Sequence, residues 1–134
     1  MIHKHRALLS FALLVIVAGP ALGAKPRPSF DCRKAESDIE KQICLVPEYA
    51  RLDREIASLF ARALKSLPAA DAARLKTSQV KWLAKRNDCI DLIHGDPPVF
   101  AEVNSCLGDA LKQRAKELEV VVETGKVSEA PAPE

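Results

Sequence analysis

Four cysteines in a short chain are the feature that most restricts the fold. They are Cys32, Cys44, Cys89 and Cys106, in a sequence of 134 residues. In a small exported protein, an even number of cysteines indicates a disulfide framework. No two of them are spaced as Cys-x-x-Cys, so the chain lacks the usual signature of a zinc ribbon or a thioredoxin-like redox site. We therefore expect two disulfides and no metal.

Four cysteines allow three different pairings. We favour Cys32–Cys44 and Cys89–Cys106, because each bridge then closes a short loop around one turn between two elements. A loop of that size contributes roughly 3 kcal/mol to stability in the chain-entropy description. The residues alone leave the other two pairings open.

The first 24 residues have the order of a secretory signal peptide. Lys4 and Arg6 form a basic start, residues 7–18 form an apolar run, and small residues follow at 21–24. Such an order is typical of a cleaved signal, and the apolar run is too short to span a bilayer. No cysteine lies at the expected cleavage point, so a lipid anchor is excluded there. We expect residues 1–24 to be a signal peptide and the protein to be periplasmic or secreted, soluble and not lipid-anchored.

The charge balance changes once the signal is removed. Lys4 and Arg6 leave with it, and the remaining 18 basic side chains equal the 18 acidic side chains of the whole sequence. A nucleic-acid-binding domain usually carries a clear basic excess. We therefore expect no nucleic-acid partner, and no membrane partner after signal removal.

Apolar residues recur at steps of three and four through most of residues 25–122, which predicts helices. Ser37 and Glu40 are spaced as a capping box at the start of a short helix. The predicted helices run from 37 to about 45, from about 48 to 67, from about 69 to 92 and from about 99 to 122. Residues 123–134 are rich in Gly, Ser, Pro, Ala and Glu, and we expect a disordered tail there.

Short connections between these helices favour antiparallel neighbours. The predicted fold class is all-α, a small antiparallel helical bundle of about four helices stapled by two disulfides. The domain is expected to cover residues 25–122.

No arrangement of residues indicates catalysis. His94 is the single histidine outside the signal segment, and it lies in a predicted turn while all four cysteines are expected to be oxidised. A Ser-His-Asp or Cys-His site would need that histidine. Phosphate-binding loops and His-Glu-x-x-His motifs do not occur in the sequence. We expect a non-enzymatic protein without catalytic residues or cofactors.

Two polar residues interrupt the apolar stripe of the third predicted helix. Gln79 and Arg86 alternate there with Leu75, Trp82 and Cys89, on a face that should be buried. A buried guanidinium needs a partner. We predict that Arg86 forms a structural ion pair with Asp53 of the second helix, and that Gln79 forms a hydrogen bond nearby. Trp82 at this spacing is more typical of a core residue than of a ligand platform.

The order and spacing of these residues resemble a known family. The pattern consists of Phe30-Asp31-Cys32, Glu40, Ile43-Cys44, Leu52-Asp53, Gln79, Trp82, Arg86, Cys89, Cys106-Leu107 and Arg114. Between about residues 29 and 118 it is similar to the LprI-type lysozyme inhibitor family. The resemblance implies an exported bacterial helical domain with two disulfides, and the family's named member inhibits lysozyme. This chain lacks the lipid-attachment cysteine of that member.

The resemblance implies a protein partner, with lysozyme as the first candidate. A non-enzymatic envelope interaction module with another partner is the alternative. Two projections would be held by disulfides and could reach a partner. One is the segment around Arg33 and Lys34, and the other is the turn that begins at His94. The residues alone do not choose between them.

Overall fold

The computed structural model describes residues 23, 25–94 and 100–127 of the chain. The predicted signal peptide lies almost entirely outside these residues, and so does most of the predicted tail. Every regular element in the described part is helical, which confirms the all-α prediction. The elements are a 3-10 turn at Cys32–Lys34, α1 at Asp38–Leu45, α2 at Pro47–Ser66, α3 at Ala69–Asp88, α4 at Asp91–His94 and α5 at Phe100–Thr124.

The capping box at the start of α1 is present as predicted. The Ser37 side chain accepts a hydrogen bond from the backbone N–H of Glu40, and the Glu40 carboxylate accepts one from the N–H of Ser37. These two bonds satisfy amides that the first helical turn leaves without intrahelical partners. Ile39 and Ile43 then turn the buried face of α1 toward α2.

Proline marks both ends of α2. Pro47 occupies the first helical position, where its missing N–H costs nothing. The helix ends at Ser66, because Pro68 disfavours a helical conformation at Leu67. Helix α3 begins directly after this proline, so the connection between the two helices is very short.

The third predicted helix is interrupted. Instead of continuing to residue 92, α3 ends at Asp88, and a turn at Cys89 and Ile90 separates it from the four-residue α4. There the backbone tightens, since the N–H of Cys89 donates to the carbonyl of Arg86. This tightening occurs at the residue that a disulfide joins to α5.

Side-chain contacts set the directions of the three long helices. Cys89 is bonded to Cys106 and Gln79 to Arg114, so α3 and α5 run antiparallel. Helices α2 and α5 both begin at the same end of the bundle, where the Tyr49 hydroxyl donates to the carbonyl of Asn104. Among the long helices, α3 therefore runs antiparallel to α2 and α5, while α2 and α5 run in the same direction.

The most extensive helix packing joins α2 and α5. Close approach near their first turns depends on Gly108, because a Cβ atom at that position would lie 3.3 Å from the Tyr49 ring. The buried apolar residues of the two helices form most of the core. From α2 they are Ala50, Leu52, Ile56, Leu59 and Ala63, and from α5 they are Val103, Leu107, Leu111, Ala115, Leu118 and Val121.

The last helix extends beyond its expected end. It continues to Thr124, and Gly125 follows with a φ of 65°, the left-handed conformation that commonly terminates a helix. Val127 then packs against the core cluster. Residues 123 and 124 of the predicted tail thus belong to α5. Within the described residues, no helix is both long enough and apolar enough to cross a membrane.

Candidate functional site

Both predicted disulfides are present. Cys32 is bonded to Cys44, and Cys89 is bonded to Cys106, which leaves no free cysteine. The first bridge attaches the 3-10 turn to α1, and the second attaches the end of α3 to α5. Each therefore fixes a segment that has little apolar surface of its own buried in the core.

A polar cluster surrounds Trp82, where α3 faces α5. The guanidinium carbon of Arg86 lies 5.5 Å from the centroid of the Trp82 ring, and that of Arg114 lies 5.8 Å away. Such distances permit a cation–π attraction, which strengthens where the cation is shielded from water. Trp82 is partly buried and packs against the core, as its spacing predicted.

Arg114 joins α5 to α3 through several hydrogen bonds. Its guanidinium donates to Gln79 Oε1 at 2.8 and 3.0 Å and to the Ser78 hydroxyl at 3.0 Å. It also forms an ion pair with Glu117 at 3.0 Å. The residue is 7% exposed, so these bonds are shielded from solvent. Gln79 therefore has a hydrogen-bond partner as predicted, but that partner belongs to α5.

The sequence pattern did not assign this role to Arg114. The signal that could have found it is the helical spacing, because Arg114 lies three residues after Leu111 and four before Leu118 on the buried stripe of α5. A cation on that stripe requires polar partners for the same reason as Arg86.

Arg86 is buried as predicted, with 9% of its surface exposed. Its guanidinium donates to Asn87 Oδ1 at 2.9 and 3.2 Å, and no direct ion pair with Asp53 forms between these two described residues. Burial lowers the pKa of Arg86, while the charges of Asp53 and Glu40 raise it. The predicted contact is thus wrong, although Asp53 does act on Arg86 electrostatically.

Asp53 accepts its hydrogen bonds from the segment that precedes the 3-10 turn. Its Oδ2 atom accepts from the backbone N–H of Ser29 at 2.7 Å and from the Ser29 hydroxyl at 2.6 Å. A carboxylate can satisfy both donors with one oxygen atom. The buried carboxylate therefore anchors the N-terminal segment to α2, a role that helical periodicity alone does not reveal.

A cavity of about 270 Å³ lies between the N-terminal segment, α2 and α3. Asp53 and Arg86 both line it, although they are not paired with each other. Its other lining residues are Ser29, Ile56, Ala57, Phe60, Gln79, Trp82 and Leu83.

The 3-10 turn displays the two basic residues named as a possible contact. The Arg33 side chain is 88% exposed and forms an ion pair with Asp31 at 2.8 Å. The hydrogen bonds from the Arg33 side chain and backbone lower the pKa of Asp31. Lys34 is also exposed. The Asp31 carboxylate is thus the partner of the exposed Arg33 guanidinium.

A second, larger cavity of about 670 Å³ borders this turn. Three arginines line it: Arg27, Arg33 and Arg54. Arg54 donates to the backbone carbonyls of Arg27 at 2.7 Å and of Pro28 at 3.1 Å, so it attaches the N-terminal segment to α2. Cationic groups thus surround the turn on more than one side.

The second predicted projection lies mainly outside the described residues. The backbone of His94 closes α4, and residues 95–99, where a turn is predicted, lie outside the described part of the chain. The structure therefore brings Asp53 and Arg86 to one cavity and Arg33 and Lys34 to one turn, at separate places. Over the ranges described, no three His, Cys, Asp or Glu side chains are grouped so that they could hold a metal ion.

The sequence that builds this site matches one family model. A family model described as "Lysozyme inhibitor LprI" matches residues 32–118, a span that includes both disulfides and the whole Trp82 cluster. The chain belongs to the LprI lysozyme inhibitor family. The resemblance that the sequence pattern indicated, between about residues 29 and 118, is confirmed over nearly the same range.

A comparison with curated proteins gives one more relationship. The chain is 25% identical over 134 aligned positions to an uncharacterized protein of Rhizobium meliloti (strain 1021), and the alignment covers 87% of this chain and 95% of the relative. The two proteins are thus similar over almost their full lengths. No solved structure matches the chain.

Proposed function

We propose that this protein is exported, binds a lysozyme and blocks its peptidoglycan-cleaving site, and that it acts without catalysis of its own. The observation that carries the proposal is the match of residues 32–118 to the lysozyme inhibitor LprI family. Export is supported by the signal-like order of residues 1–24 and by two disulfides, which persist in oxidising compartments. An exported protein is in the same compartment as the peptidoglycan that a lysozyme cleaves.

The basic 3-10 turn is the contact that we propose. It is exposed, and the Cys32–Cys44 bridge ties it to α1, which packs against α2. A projection that is already rigid loses less conformational freedom on binding, and this improves affinity.

The chemistry of a lysozyme cleft suits a cationic projection. Such a cleft contains two carboxyl groups that act on the glycosidic bond, one protonated and one ionised. A guanidinium can donate two parallel hydrogen bonds to a carboxylate, and an ammonium can pair with it as a point charge. In the proposed complex, Lys34 reaches the ionised carboxylate, or Arg33 does so in exchange for Asp31, and Arg27 and Arg54 add to the local positive potential.

Measurement of cell-wall lysis tests the proposal. Oxidised protein in molar excess is added to c-, g- and i-type lysozymes, and the clearing of a peptidoglycan suspension is followed. We expect inhibition of at least one type, together with retention of that lysozyme on immobilised protein. If all three types keep full activity and none is retained, the inhibitor proposal fails, and an envelope interaction module with another partner takes its place.

A variant pair tests the contact face. Arg33→Ala combined with Lys34→Ala should weaken inhibition roughly a hundredfold, because truncating close charge pairs at an interface costs about 2–5 kcal/mol. The matched control is Lys81→Ala combined with Lys85→Ala on α3, which removes the same number of exposed cations elsewhere. Equal inhibition by both double variants would place the contact on a different face.

A further inference from the structure

The cavity between the N-terminal segment, α2 and α3 has a mixed lining that the lysozyme contact does not use. Apolar side chains from both helices form part of the wall, among them Ile56, Phe60 and Leu83. Polar groups form the rest, and two of them, Asp53 and Arg86, are more than nine-tenths buried. Pockets for small ligands combine a mostly apolar lining with a few convergent polar groups.

Arg86 keeps an unused donor at this cavity. Its hydrogen bonds to Asn87 Oδ1 use Nε and Nη2, whereas Nη1 has no partner within the described part of the chain. No fully buried side-chain nitrogen or oxygen of the described residues lacks a hydrogen bond. The Nη1 group is therefore not sealed from solvent, and Arg86 lines the cavity.

Asp53 keeps an unused acceptor in the same place. Both hydrogen bonds from Ser29 end on Oδ2, and Oδ1 accepts none from the residues that the structure describes. By the same reasoning Oδ1 is not sealed from solvent, and Asp53 lines the cavity. One donor and one acceptor therefore line a single small space, and they do not satisfy each other.

The charges around the cavity favour an uncharged ligand. The cation of Arg86 is offset by the anion of Asp53, and Glu40 adds a second negative charge that acts on Arg86. An incoming anion would be repelled by both carboxylates, and an incoming cation by the guanidinium. A neutral group that both accepts and donates a hydrogen bond fits this arrangement.

We propose that this cavity binds a secondary amide with a methyl substituent, the acetamido group carried by N-acetylated amino sugars and by acetylated peptides. The amide oxygen accepts from Arg86, the amide N–H donates to Asp53, and the methyl group packs against Ile56, Phe60 and Leu83. At about 270 Å³ the cavity holds one such substituent, and the remainder of the ligand lies outside. This inference is independent of lysozyme binding.

Trp82 supplies the measurement, because it is the single tryptophan of the chain and lines the cavity. The disulfide-bonded protein is titrated with a trimer of N-acetylglucosamine, with the same trimer lacking its acetyl groups, and with N-acetyl-alanine methylamide. Fluorescence of Trp82 and the amide chemical shifts of α2 and α3 are recorded. We expect a saturable change with at least one acetylated probe and none with the deacetylated trimer.

Two variants of α2, each with an alanine replaced by leucine, separate cavity binding from nonspecific effects. Ala57→Leu adds bulk inside the cavity and leaves Asp53 and Arg86 in place. Ala61→Leu makes the same change one helical turn later, at an exposed position outside the cavity. We expect affinity to fall at least about tenfold in the first variant, equivalent to about 1.4 kcal/mol, and to be unchanged in the second.

Each outcome decides the inference. Binding of the sugar trimer alone assigns the cavity to amino sugars, and binding of the peptide amide alone assigns it to acetylated peptides. Equal binding of the deacetylated trimer, an absence of saturable change with every probe, or equal affinity of the two leucine variants would overturn the proposal. Far-ultraviolet circular dichroism and the two intact disulfides verify that both variants are folded.

Discussion

Helices α3 and α5 are both long, yet they are attached to the molecule in opposite ways. Helix α5 packs along α2 through a row of buried aliphatic side chains, including Leu107, Leu111 and Leu118. Helix α3 has 20 residues and buries only Leu75 and Arg86. It is attached instead by a disulfide at its end, by the Arg114 hydrogen bonds and by the guanidinium contacts with Trp82.

The two kinds of attachment contribute differently: apolar packing stabilises the bundle, whereas directional bonds position α3. Burial of apolar surface is strong but has no preferred direction, so α2 and α5 provide most of the stability of the bundle. Hydrogen bonds and a covalent bridge are directional, so they specify where α3 lies relative to that pair. Because Asp53 of α2 and Arg86 of α3 both line the cavity, the position of α3 also determines the shape of that cavity.

The largest expected effect comes from the apolar interface. Leu111→Ala should lower the free energy of unfolding by about 3–4 kcal/mol, because a fully buried leucine is replaced and leaves a void in the α2–α5 core. Urea unfolding followed by circular dichroism measures it. Leu45→Ala is the control, since Leu45 is 74% exposed and its loss should change stability by less than about 0.5 kcal/mol. A cost below 1 kcal/mol at Leu111 would mean that this interface does not dominate.

The next effect tests the covalent attachment of α3. Replacing Cys89 and Cys106 together by serine should cost roughly 3 kcal/mol through the freedom gained by the unfolded chain. Hydrogen exchange should then show the largest loss of protection in α3. The double serine variant at Cys32 and Cys44 is the matched comparison, with its loss concentrated at the N-terminal segment and α1. If both variants lost protection evenly along the chain, the two disulfides would not be attaching separate segments.

A smaller effect is expected from the polar attachment. Arg114→Gln should cost about 2 kcal/mol, because Gln79 and Ser78 lose a buried donor that they now share. The signature is a selective rise in amide exchange along α3 while the α2–α5 pair stays protected. Lys116→Gln is the control on an exposed position of the same helix. If α2 and α3 lost protection equally, the polar cluster would belong to the global core.

The smallest effect on stability is expected at the cap of α1, which lies outside both the α2–α5 packing and the attachment of α3. Hydrogen bonds from the backbone N–H groups of Ser37 and Glu36 lower the pKa of Glu40 in the folded protein. A depressed pKa stabilises the folded state at a pH above the unfolded value, about pH 4, and this contribution disappears as the pH falls through the folded value. Glu40→Gln should therefore be less stable than the unchanged protein at pH 7, with the difference shrinking toward pH 3 in urea titrations.

The structure agrees with the sequence where local chemistry decides the outcome. The capping box and the prolines at either end of α2 follow from short-range spacing, and both are present. The disulfides have the pairing that short loops favour among the three that the sequence allows. The partners of Arg86 could not be derived in the same way. Spacing shows that a cation lies on a buried face, but its hydrogen-bond partner depends on how side chains from different segments meet.

Ser29 illustrates the limit at the candidate site. Ser29 donates to the Asp53 carboxylate, which we had predicted to pair with Arg86. Helical periodicity cannot predict this contact, because Ser29 lies in the N-terminal segment before the first helix. The break between α3 and α4 at Cys89 was missed for a related reason. Apolar periodicity continues through residues 89 and 90, whereas the disulfide and the local backbone bonds end the helix.

Arg54 holds the leading segment by its peptide carbonyls, at Arg27 and Pro28, and not by its side chains. Every amino acid supplies a carbonyl, so the identity of an exposed residue such as Arg27 is of little importance to this anchorage. Mutations at position 27 should therefore accumulate without detaching the segment, which makes that site a place for adjusting surface charge. Loss of Arg54 would remove these two hydrogen bonds whatever residues the segment contains and would leave Ser29 bound to Asp53.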